Sequence, residues 1–321
     1  MRPDQGSPHN EAARPARGSS ASVDPALEAP RPLRGPRASD AVTFAFADVA
    51  SDVYGVARLG RTESGASGLV VLFHGGEPVA VRADGGVALA DGGARSWDAV
   101  RAAGLSTEVV EPLRSWRVRL ASEEAAFDLA FFATGAIAAL SPEEPVAKAG
   151  GMQGYEQPCR VAGTVIIGGR TLELAAGLGQ RGHSWGAPDW DKIALARTLS
   201  AWFADGPAVA AVAVRPAKGK SHADEEVAVT ILEPAGDGAE PVATPVPDPL
   251  ISTAYDAEGR QRRAGLELYP DPDGYARRLA GEVVCGSSLD LGRLRLDCAF
   301  FRWRMEGREG VGRYDVLRRA D

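Results

Sequence analysis

Beyond residue 41, apolar and polar side chains alternate in short runs that Gly- and Pro-rich segments separate. A repeat of two places successive side chains on opposite faces of a β-strand, whereas an amphipathic helix repeats every 3.6 residues. In the first half of the chain the runs lie at 42–49, 52–60, 68–76, 77–86, 113–122 and 125–135. A short helix capped by Ser96 is expected near 96–103. Many short strands without long amphipathic helices between them predict an antiparallel barrel or sandwich.

The same alternation resumes after a Pro- and Gly-rich segment at 141–154. Residues 160–177 predict a hairpin that turns at Gly168 and Gly169. The segment 192–217 allows two structures, a helix over 190–202 or a hairpin that turns at 204–207. The hairpin is favoured, because the apolar residues alternate as on one face of a strand. Later runs lie at 225–234, 263–270, 275–286, 291–307 and 310–319.

These patterns divide the chain of 321 residues into three parts. Residues 1–40 are rich in Pro, Ala, Arg, Gly and Ser and nearly lack aromatic and β-branched side chains, so we expect a disordered tail. The remainder is long enough for two β domains, which we place at 41–150 and 151–321. We therefore predict an all-β protein with two tandem antiparallel β-barrel or sandwich domains.

Composition narrows the classes of function. The formal net charge is −7 with acidic and basic residues interspersed, so we expect no nucleic-acid partner. The three cysteines show no metal-ligand spacing, which fits a reduced cytoplasmic protein without a zinc site or disulfide framework. Neither a transmembrane run nor a signal peptide is expected. Nucleotide, dinucleotide and metal-binding motifs are absent from the sequence, so we expect no cofactor and no metal; the oligomeric state stays open.

The segment 177–190, GLGQRGHSWGAPDW, concentrates rare side chains and is called the central motif below. On a strand, Arg181, His183 and Trp185 would share one face. A histidine beside tryptophan in a barrel interior could act as a general acid or base, because the ordinary pKa of His is about 6.5. Alternatively, His183 is a hydrogen-bonded core residue that supports the turn at 186–188.

Carboxyl groups near the motif have similar alternatives. Asp189 beside Trp190 in an apolar pocket would have a raised pKa and could donate a proton; otherwise it caps the turn or pairs with Arg181. Tyr155 and Glu156, with the amide that follows them, either line the same cavity or bond the backbone of a turn. Trp202 is expected in the core or in the cavity wall.

Residues 155–190, YEQPCRVAGTVIIGGRTLELAAGLGQRGHSWGAPDW, resemble the second domain of carotenoid hydratase-like proteins. That lipocalin-like family includes hydroxyneurosporene synthase, uncharacterised actinobacterial proteins and fungal Diels–Alderases, and the likeness extends loosely over 42–317. It implies two tandem lipocalin-like domains with a ligand cavity at or near their interface. His183 and Trp185 match motif residues that the family links, with an acidic partner, to protonation of an alkene. Gly182 stands where the family motif usually has Asp, Pro188 stands where it has Arg, and the downstream Tyr-x-Asp pair has no match.

Two hypotheses of different class follow. In the first, the protein is a hydratase, isomerase or cyclase for an isoprenoid- or polyketide-like molecule. Its catalytic residues would be His183, Asp189 and Glu156, and its ligand contacts would come from Arg181, Trp185, Trp190, Tyr155 and Trp202. In the second, it is a non-catalytic lipocalin-like protein that binds an apolar ligand. An enzyme predicts that His183 and a carboxylate open into one apolar cavity; a structural corner predicts that both are bonded outside it.

Overall fold

The computed structural model describes residues 24–89, 96–235, 240–271 and 273–320. Within these ranges the protein is nearly all β and consists of two curled antiparallel sheets of barrel or half-barrel form. The predicted all-β class is therefore confirmed. None of the helices in the described ranges is long and apolar enough to cross a membrane.

The first sheet contains eleven strands, which neighbour one another in the order β4-β3-β2-β1-β11-β10-β8-β7-β6-β5, with β9 paired to β10. Large aromatic side chains fill the concave interior of this sheet, among them Trp97, Trp116 and Phe131. One short helix, α1 (Pro145–Gly150), connects β9 to β10. The strands are β1 (Ser39–Asp48), β2 (Val53–Thr62), β3 (Gly65–His74), β4 (Glu77–Val87), β5 (Arg101–Ala102), β6 (Leu105–Glu111), β7 (Ser115–Ala121), β8 (Ala125–Ala133), β9 (Ala138–Leu140), β10 (Met152–Ile167) and β11 (Arg170–Gly186).

The second sheet contains nine strands in the order β15-β14-β13-β12-β20-β19-β18-β17-β16. Its interior is packed by a second cluster that includes Phe301, Trp303 and Tyr314. The strands are β12 (Ile193–Phe203), β13 (Ala208–Pro216), β14 (Glu226–Glu233), β15 (Val242–Pro245), β16 (Leu250–Tyr255), β17 (Gln261–Leu268), β18 (Arg277–Asp290), β19 (Leu294–Met305) and β20 (Arg308–Arg319).

Both predicted hairpins of the central region are present. β10 and β11 pair up to a turn at Gly168 and Gly169, whose φ angles of 55° and 79° are in the left-handed region that glycine adopts without strain. β12 and β13 form the second hairpin, so the alternation of apolar residues prevailed over the helix propensity of Ala, Leu and Arg. The predicted helix near 96–103 is a single 3-10 turn, Trp97–Ala99, where Ser96 Oγ accepts from the backbone N–H of Asp98 at 3.2 Å.

The chain changes sheet between Gly186 and Ile193, later than the boundary expected at residue 150. β10 and β11, which carry the whole stretch 155–186, pair with β8 and β1 of the first sheet. The segment 141–154 contains α1 and a left-handed Gly151 at its end. The Pro and Gly residues of this segment therefore belong to a helical connection within one sheet. Proline is favoured at the first turn of a helix and glycine at its C-terminal end, so the same residue types are found at short helices and at domain boundaries.

Residues 24–40, expected to belong to the disordered tail, are folded in the structure, whereas residues 1–23 lie outside the described residues. A 3-10 helix at Pro25–Glu28 is followed by extended chain that leads into β1; we call residues 24–38 the strap. Glu28 is 4% exposed, and its carboxylate accepts from Arg181 and, at 3.0 Å, from the backbone N–H of Leu113. Its carbonyl accepts from Trp97 Nε1 at 3.1 Å. The strap thus packs on the first sheet through hydrogen bonds. These contacts do not require the apolar side chains that the strap lacks.

The two sheets meet through their outer faces. Phe300 of β19 is fully buried at the centre of this contact, with ring centroids 5.5 Å from Tyr54, 6.2 Å from Phe73 and 6.5 Å from Trp202. The first two neighbours belong to the first sheet and the third to the second sheet. An aromatic cluster therefore fixes how one sheet sits on the other.

Truncation of this cluster should destabilise the protein. We expect Phe300→Ala to lower the free energy of unfolding by about 3–5 kcal/mol, because it leaves a cavity between two packed sheets. Denaturant unfolding followed by tryptophan fluorescence measures the change. The matched control is Phe132→Ala on β8, where the side chain is 48% exposed, and a loss of less than about 1 kcal/mol is expected there. Equal losses in the two variants would contradict this account of the contact between the sheets.

The buried pair of Glu28 and Arg181 makes a second prediction. Glu28→Gln removes the charge that compensates a fully buried guanidinium, so the free energy of unfolding should fall by on the order of 3 kcal/mol. Glu309→Gln is the control, because Glu309 is 68% exposed in a surface pair with Arg304 and should contribute less than about 1 kcal/mol. A Glu28→Gln protein as stable as the control would show that the strap is not held by this pair.

Candidate active site

A cavity of about 700 Å³ lies between the outer faces of the two sheets. Strands β1–β3 and β10–β11 form one wall, and β12–β14 with β19–β20 form the other, while α1 and β9 lie at its side. Most of the lining is apolar, including Val56, Leu69, Val146, Trp190 and Ile193. The volume is that of a site for a drug-sized molecule.

Cross-strand register places a polar row on the first wall. Arg58 of β2 is opposite Thr43 of β1, Thr43 is opposite Gly182 of β11, and Gly182 is opposite Glu156 of β10. Residues directly opposite one another on antiparallel strands share a face of the sheet. Arg58, Thr43 and Glu156 all line the cavity. Of this row, the sequence alone predicts only Glu156 as a site residue.

Gly182 makes room for the carboxyl group of Glu156. A Cβ atom at position 182 would lie 2.3 Å from Oε2 and 2.6 Å from the carboxyl carbon of Glu156, closer than any real contact. The carboxyl therefore lies across β11, over the site where a side chain would otherwise stand. Position 182 is also where the motif that this segment resembles usually carries Asp. The carboxyl at this place on the sheet comes from Glu156 of the neighbouring strand.

The carboxyl of Glu156 is held by an amide and an indole. Nε2 of Gln180 donates to Oε2 at 2.6 Å, and Nε1 of Trp202 donates to Oε1 of Gln180 at 3.1 Å, which fixes the amide orientation. Burial raises the pKa of Glu156 above its ordinary value, and nearby Asp315 adds to this, while Arg313 and the Gln180 hydrogen bond oppose it. The environment therefore favours the protonated acid, as a proton donor requires.

Two arginines and an aspartate complete the charged part of the cavity. Arg313 of β20 donates to Asp315 through Nε at 2.7 Å and also through Nη2. Burial lowers the pKa of Arg313, but the Asp315 carboxylate outweighs this and raises it. Arg58 forms no ion pair with any residue in the described ranges, and burial lowers its pKa with a contribution from Arg313. The only sequence signal for Arg58 was a basic residue within an apolar strand.

The central motif presents its other face to the interior of the first sheet. Arg181, His183 and Trp185 share one face, as predicted, but it is the face opposite to Gly182 and hence opposite to the carboxyl of Glu156. Arg181 is fully buried, bonds Tyr155 and Glu28, and lies 4.7 Å from the ring centre of Trp116. Burial holds its pKa well below the ordinary value.

Both ring nitrogens of His183 are occupied. Nδ1 lies 2.9 Å from the carbonyl oxygen of Leu27, and Nε2 lies 2.7 Å from Oδ1 of Asp40. His183 contributes to the cavity wall, yet its side chain has no exposed surface. Burial lowers its pKa, and the Asp40 carboxylate opposes this. Asp40 is itself bonded to the backbone N–H of Arg31 at 2.7 Å and to Arg61 at 3.3 Å. The histidine thus links the strap to β11.

The other predicted site residues are divided between the cavity and its surroundings. Trp190 lines the cavity, and Tyr155 is part of the wall with its hydroxyl bonded to Arg181. Trp202 acts through Gln180, and Trp185 stacks with Arg31 of the strap at 4.4 Å. These four, together with Arg181, remain predictions as ligand contacts.

Asp189 has an environment different from the one expected. Its carboxylate pairs with Arg37 at 2.7 Å and with Lys192 at 3.4 Å, and it is not among the cavity residues. The expectation of a raised pKa is wrong: desolvation raises the pKa of Asp189, but the hydrogen bonds and charges of Arg37 and Lys192 together outweigh it and lower the pKa. The turn beyond Gly186 places the side chain, which is 21% exposed, beside two bases that stabilise its charge.

Comparison with known proteins agrees with this fold. A protein of Nitrosomonas europaea assigned as AttH is 15% identical, with a TM-score of 0.63 over 87% of this chain and 91% of that one. CghA is 11% identical, with a TM-score of 0.62 over 89% of each chain. Kievitone hydratase from Nectria haematococca is 13% identical, with a TM-score of 0.54 over 87% of this chain and 88% of that one.

At such identities these structures show a common fold. Curated proteins give no match to the chain. The fold is thus shared with these solved structures, and the resemblance to carotenoid hydratases stays a prediction. One family model, described as a domain of unknown function, DUF7064, matches residues 24–320. That range includes the strap and both sheets, so the chain belongs to the DUF7064 family.

Proposed function

We propose that this protein is an enzyme that transfers a proton to a hydrophobic small molecule bound between the two sheets, in a hydratase-, isomerase- or cyclase-type reaction without a cofactor. The observation that carries the proposal is the carboxyl of Glu156, which faces an apolar cavity with its pKa raised by burial. A carboxylic acid that keeps its proton in an apolar site can protonate a weakly basic carbon or oxygen.

Glu156 has the features of a general acid. Gln180 occupies Oε2, so the proton is placed on Oε1, for which the described residues offer no hydrogen-bond partner. After transfer, the carboxylate is stabilised by the Gln180 amide and by the positive charge of Arg313, the two groups that lower its pKa. In a hydration, water then adds to the activated carbon and returns its proton to the carboxylate. In an isomerisation, the carboxylate removes a proton from a neighbouring carbon.

The apolar lining supports an isoprenoid- or polyketide-like substrate. Trp190, Val146 and Ile193 provide an apolar wall, and the volume suits a molecule of drug size. Aromatic side chains near the acid would also stabilise cationic character in the substrate. A neighbour of the same fold bears the name kievitone hydratase, which agrees with hydratase-type chemistry in such a scaffold.

One observation favours the alternative, a non-catalytic lipocalin-like binding protein. The partners of His183 are Leu27 and Asp40, and those of Asp189 are Arg37 and Lys192, as a structural corner requires. We therefore assign His183 and Asp189 to the support of the strap and the turn. Glu156 alone of the three predicted catalytic residues combines exposure to the cavity with a raised pKa, and the choice between enzyme and binding protein depends on it.

Substitution of Glu156 by Gln tests the proposal. The variant keeps the shape of the side chain and removes its proton, so conversion should fall by roughly 10²–10⁴-fold, as for other general acids. Mass spectrometry of apolar compounds that co-purify from cells expressing each protein should find a precursor-like compound with the variant. Asp189→Asn is the control and should retain the wild-type compound. The same compound bound to wild type and to Glu156→Gln would favour the non-catalytic alternative.

The raised pKa of Glu156 also predicts how stability depends on pH. Above the ordinary pKa of 4.5 the unfolded chain loses this proton while the folded protein retains it. The folded state therefore binds more protons in this window, and its stability falls as the pH rises from the unfolded pKa through the folded one. Glu156→Gln lacks this contribution, so the wild type should lose stability relative to the variant across that window. Denaturant unfolding between pH 4.5 and pH 8 measures it, and parallel curves would contradict a raised pKa.

A further inference from the structure

The guanidinium of Arg58 is a cation in the cavity wall without a compensating carboxylate. It is the first member of the polar row on β2, β1, β11 and β10, and its half-buried side chain lines the cavity, where desolvation lowers the pKa of Arg58. No carboxylate in the described ranges lies within ion-pair distance of it. Partial desolvation of an unpaired charge is costly, and a bound anion would offset that cost.

The other charges of the cavity are accounted for. Arg313 is paired with Asp315, Arg37 is paired with Asp189, and the pKa of Glu156 is raised towards the neutral acid. The remaining acid of the wall, Asp84, is exposed and accepts from the backbone N–H of Ala103 at 2.8 Å. It does not pair with Arg58. Asp40, which acts on Arg58 from the opposite face of the sheet, is bonded to His183 and Arg61.

Local backbone geometry accommodates the guanidinium. A Cβ atom at Gly60 would lie 2.9 Å from Nη1 of Arg58, so a larger residue there would displace it. Gly60 thus leaves room for the guanidinium of Arg58, just as Gly182 leaves room for the carboxyl of Glu156. Two glycines of the first sheet make room for two ionisable side chains, and both side chains line the same cavity.

We propose that Arg58 binds an anionic oxygen group of the substrate, so that the substrate class is an apolar molecule with one carboxylate or similar acid group. This inference rests on the proposed function in that it assigns the ligand of the same cavity. A guanidinium bonds a carboxylate through two parallel hydrogen bonds, which are strong where water is excluded. The adjacent Arg313 adds positive potential, as its effect on the pKa of Arg58 shows.

The row also sets the distance between the anion and the reacting carbon. The backbones of Arg58 and Glu156 lie three strand spacings apart, roughly 14 Å across the sheet, and the Glu156 carboxyl reaches one strand back towards Arg58, over Gly182. A substrate whose acid group is bound by Arg58 would extend along the apolar wall and place a carbon several bonds away beside Glu156. The anion would then fix the position of the bond that is protonated.

A pair of dyes tests the charge preference directly. 1-Anilinonaphthalene-8-sulfonate and N-phenyl-1-naphthylamine share an apolar body and differ in the anionic sulfonate, and both fluoresce more strongly in apolar sites. In Arg58→Met the affinity for the sulfonate dye should fall by about 10-fold or more, the range for hydrogen bonds to charged groups, while the affinity for the neutral dye stays the same. Arg58→Lys should lose less. Arg263→Met is the matched control, because Arg263 is 76% exposed on the second sheet, and neither dye should respond to it.

Competition extends the test to carboxylates. Dodecanoate should displace the sulfonate dye from the wild type at lower concentration than dodecanol, and the two should be equal in Arg58→Met. A wild type without preference for the anionic dye, or a loss of both dyes in Arg58→Met, would overturn the proposal. Glu156→Gln should keep the preference, since it retains Arg58. Failure of proton transfer and failure of anion binding are therefore seen in different measurements.

Discussion

The two faces of β11 differ in their surroundings, since one faces the interior of the first sheet and the other faces the cavity. The arrangement of the rest of the molecule depends on this separation. Arg181 and His183 point into the first sheet, where every polar contact is with the protein itself. Gly182 points outward and leaves space for Glu156 at the cavity. Because side chains on a strand alternate strictly, adjacent residues of one motif cannot join in one site. A register shift of one residue in β11 would turn the buried arginine to the cavity face and remove the space that Gly182 leaves for the carboxyl of Glu156.

Burial of Arg181 is possible only because the strap returns to cover it. The desolvation of a guanidinium costs several kcal/mol unless charge and hydrogen bonds compensate. Glu28 supplies the charge, Tyr155 supplies a further acceptor, and the faces of two aromatic rings lie 4.7 and 4.9 Å away. Leu27 and Asp40 bond His183 at the same place. Residues 24–40 therefore stabilise the buried charged groups of the first sheet. The family match begins at residue 24, which agrees with this role.

Local patterns predicted most strands but not how distant segments meet. The alternation identified the hairpins β10–β11 and β12–β13, since periodicity depends only on neighbours in sequence. It also placed Arg181, His183 and Trp185 on one face, but could not tell which face was the cavity, because that depends on where the second sheet docks. The strap was not predicted for the same reason. Glu28 is bonded to Arg181, 153 positions later, and a contact between such distant residues cannot be inferred from local composition. Arg58 of the first sheet comes near Arg313 and Asp315, which are two residues apart on β20, only through the packing of the two sheets.

Gly182, which stands where the motif that this segment resembles usually has Asp, illustrates how a residue without a side chain shapes a site. In the sequence alone, position 182 provides no carboxyl group. In three dimensions, the absence of a side chain on β11 is what allows the carboxyl of Glu156 to occupy the vacated space, since a Cβ there would lie 2.3 Å from Oε2. The sequence signal for this substitution is a pair, Glu on one strand with Gly directly opposite it on the next, which becomes visible once the register of β10 and β11 is known. Gly60 and Arg58 show the same relation on β2, where glycine makes room for a charged side chain two residues away. In a sheet that is buried on both faces, the position of a glycine thus decides where an ionisable side chain can lie, and a site is defined as much by the residues that are small as by those that react.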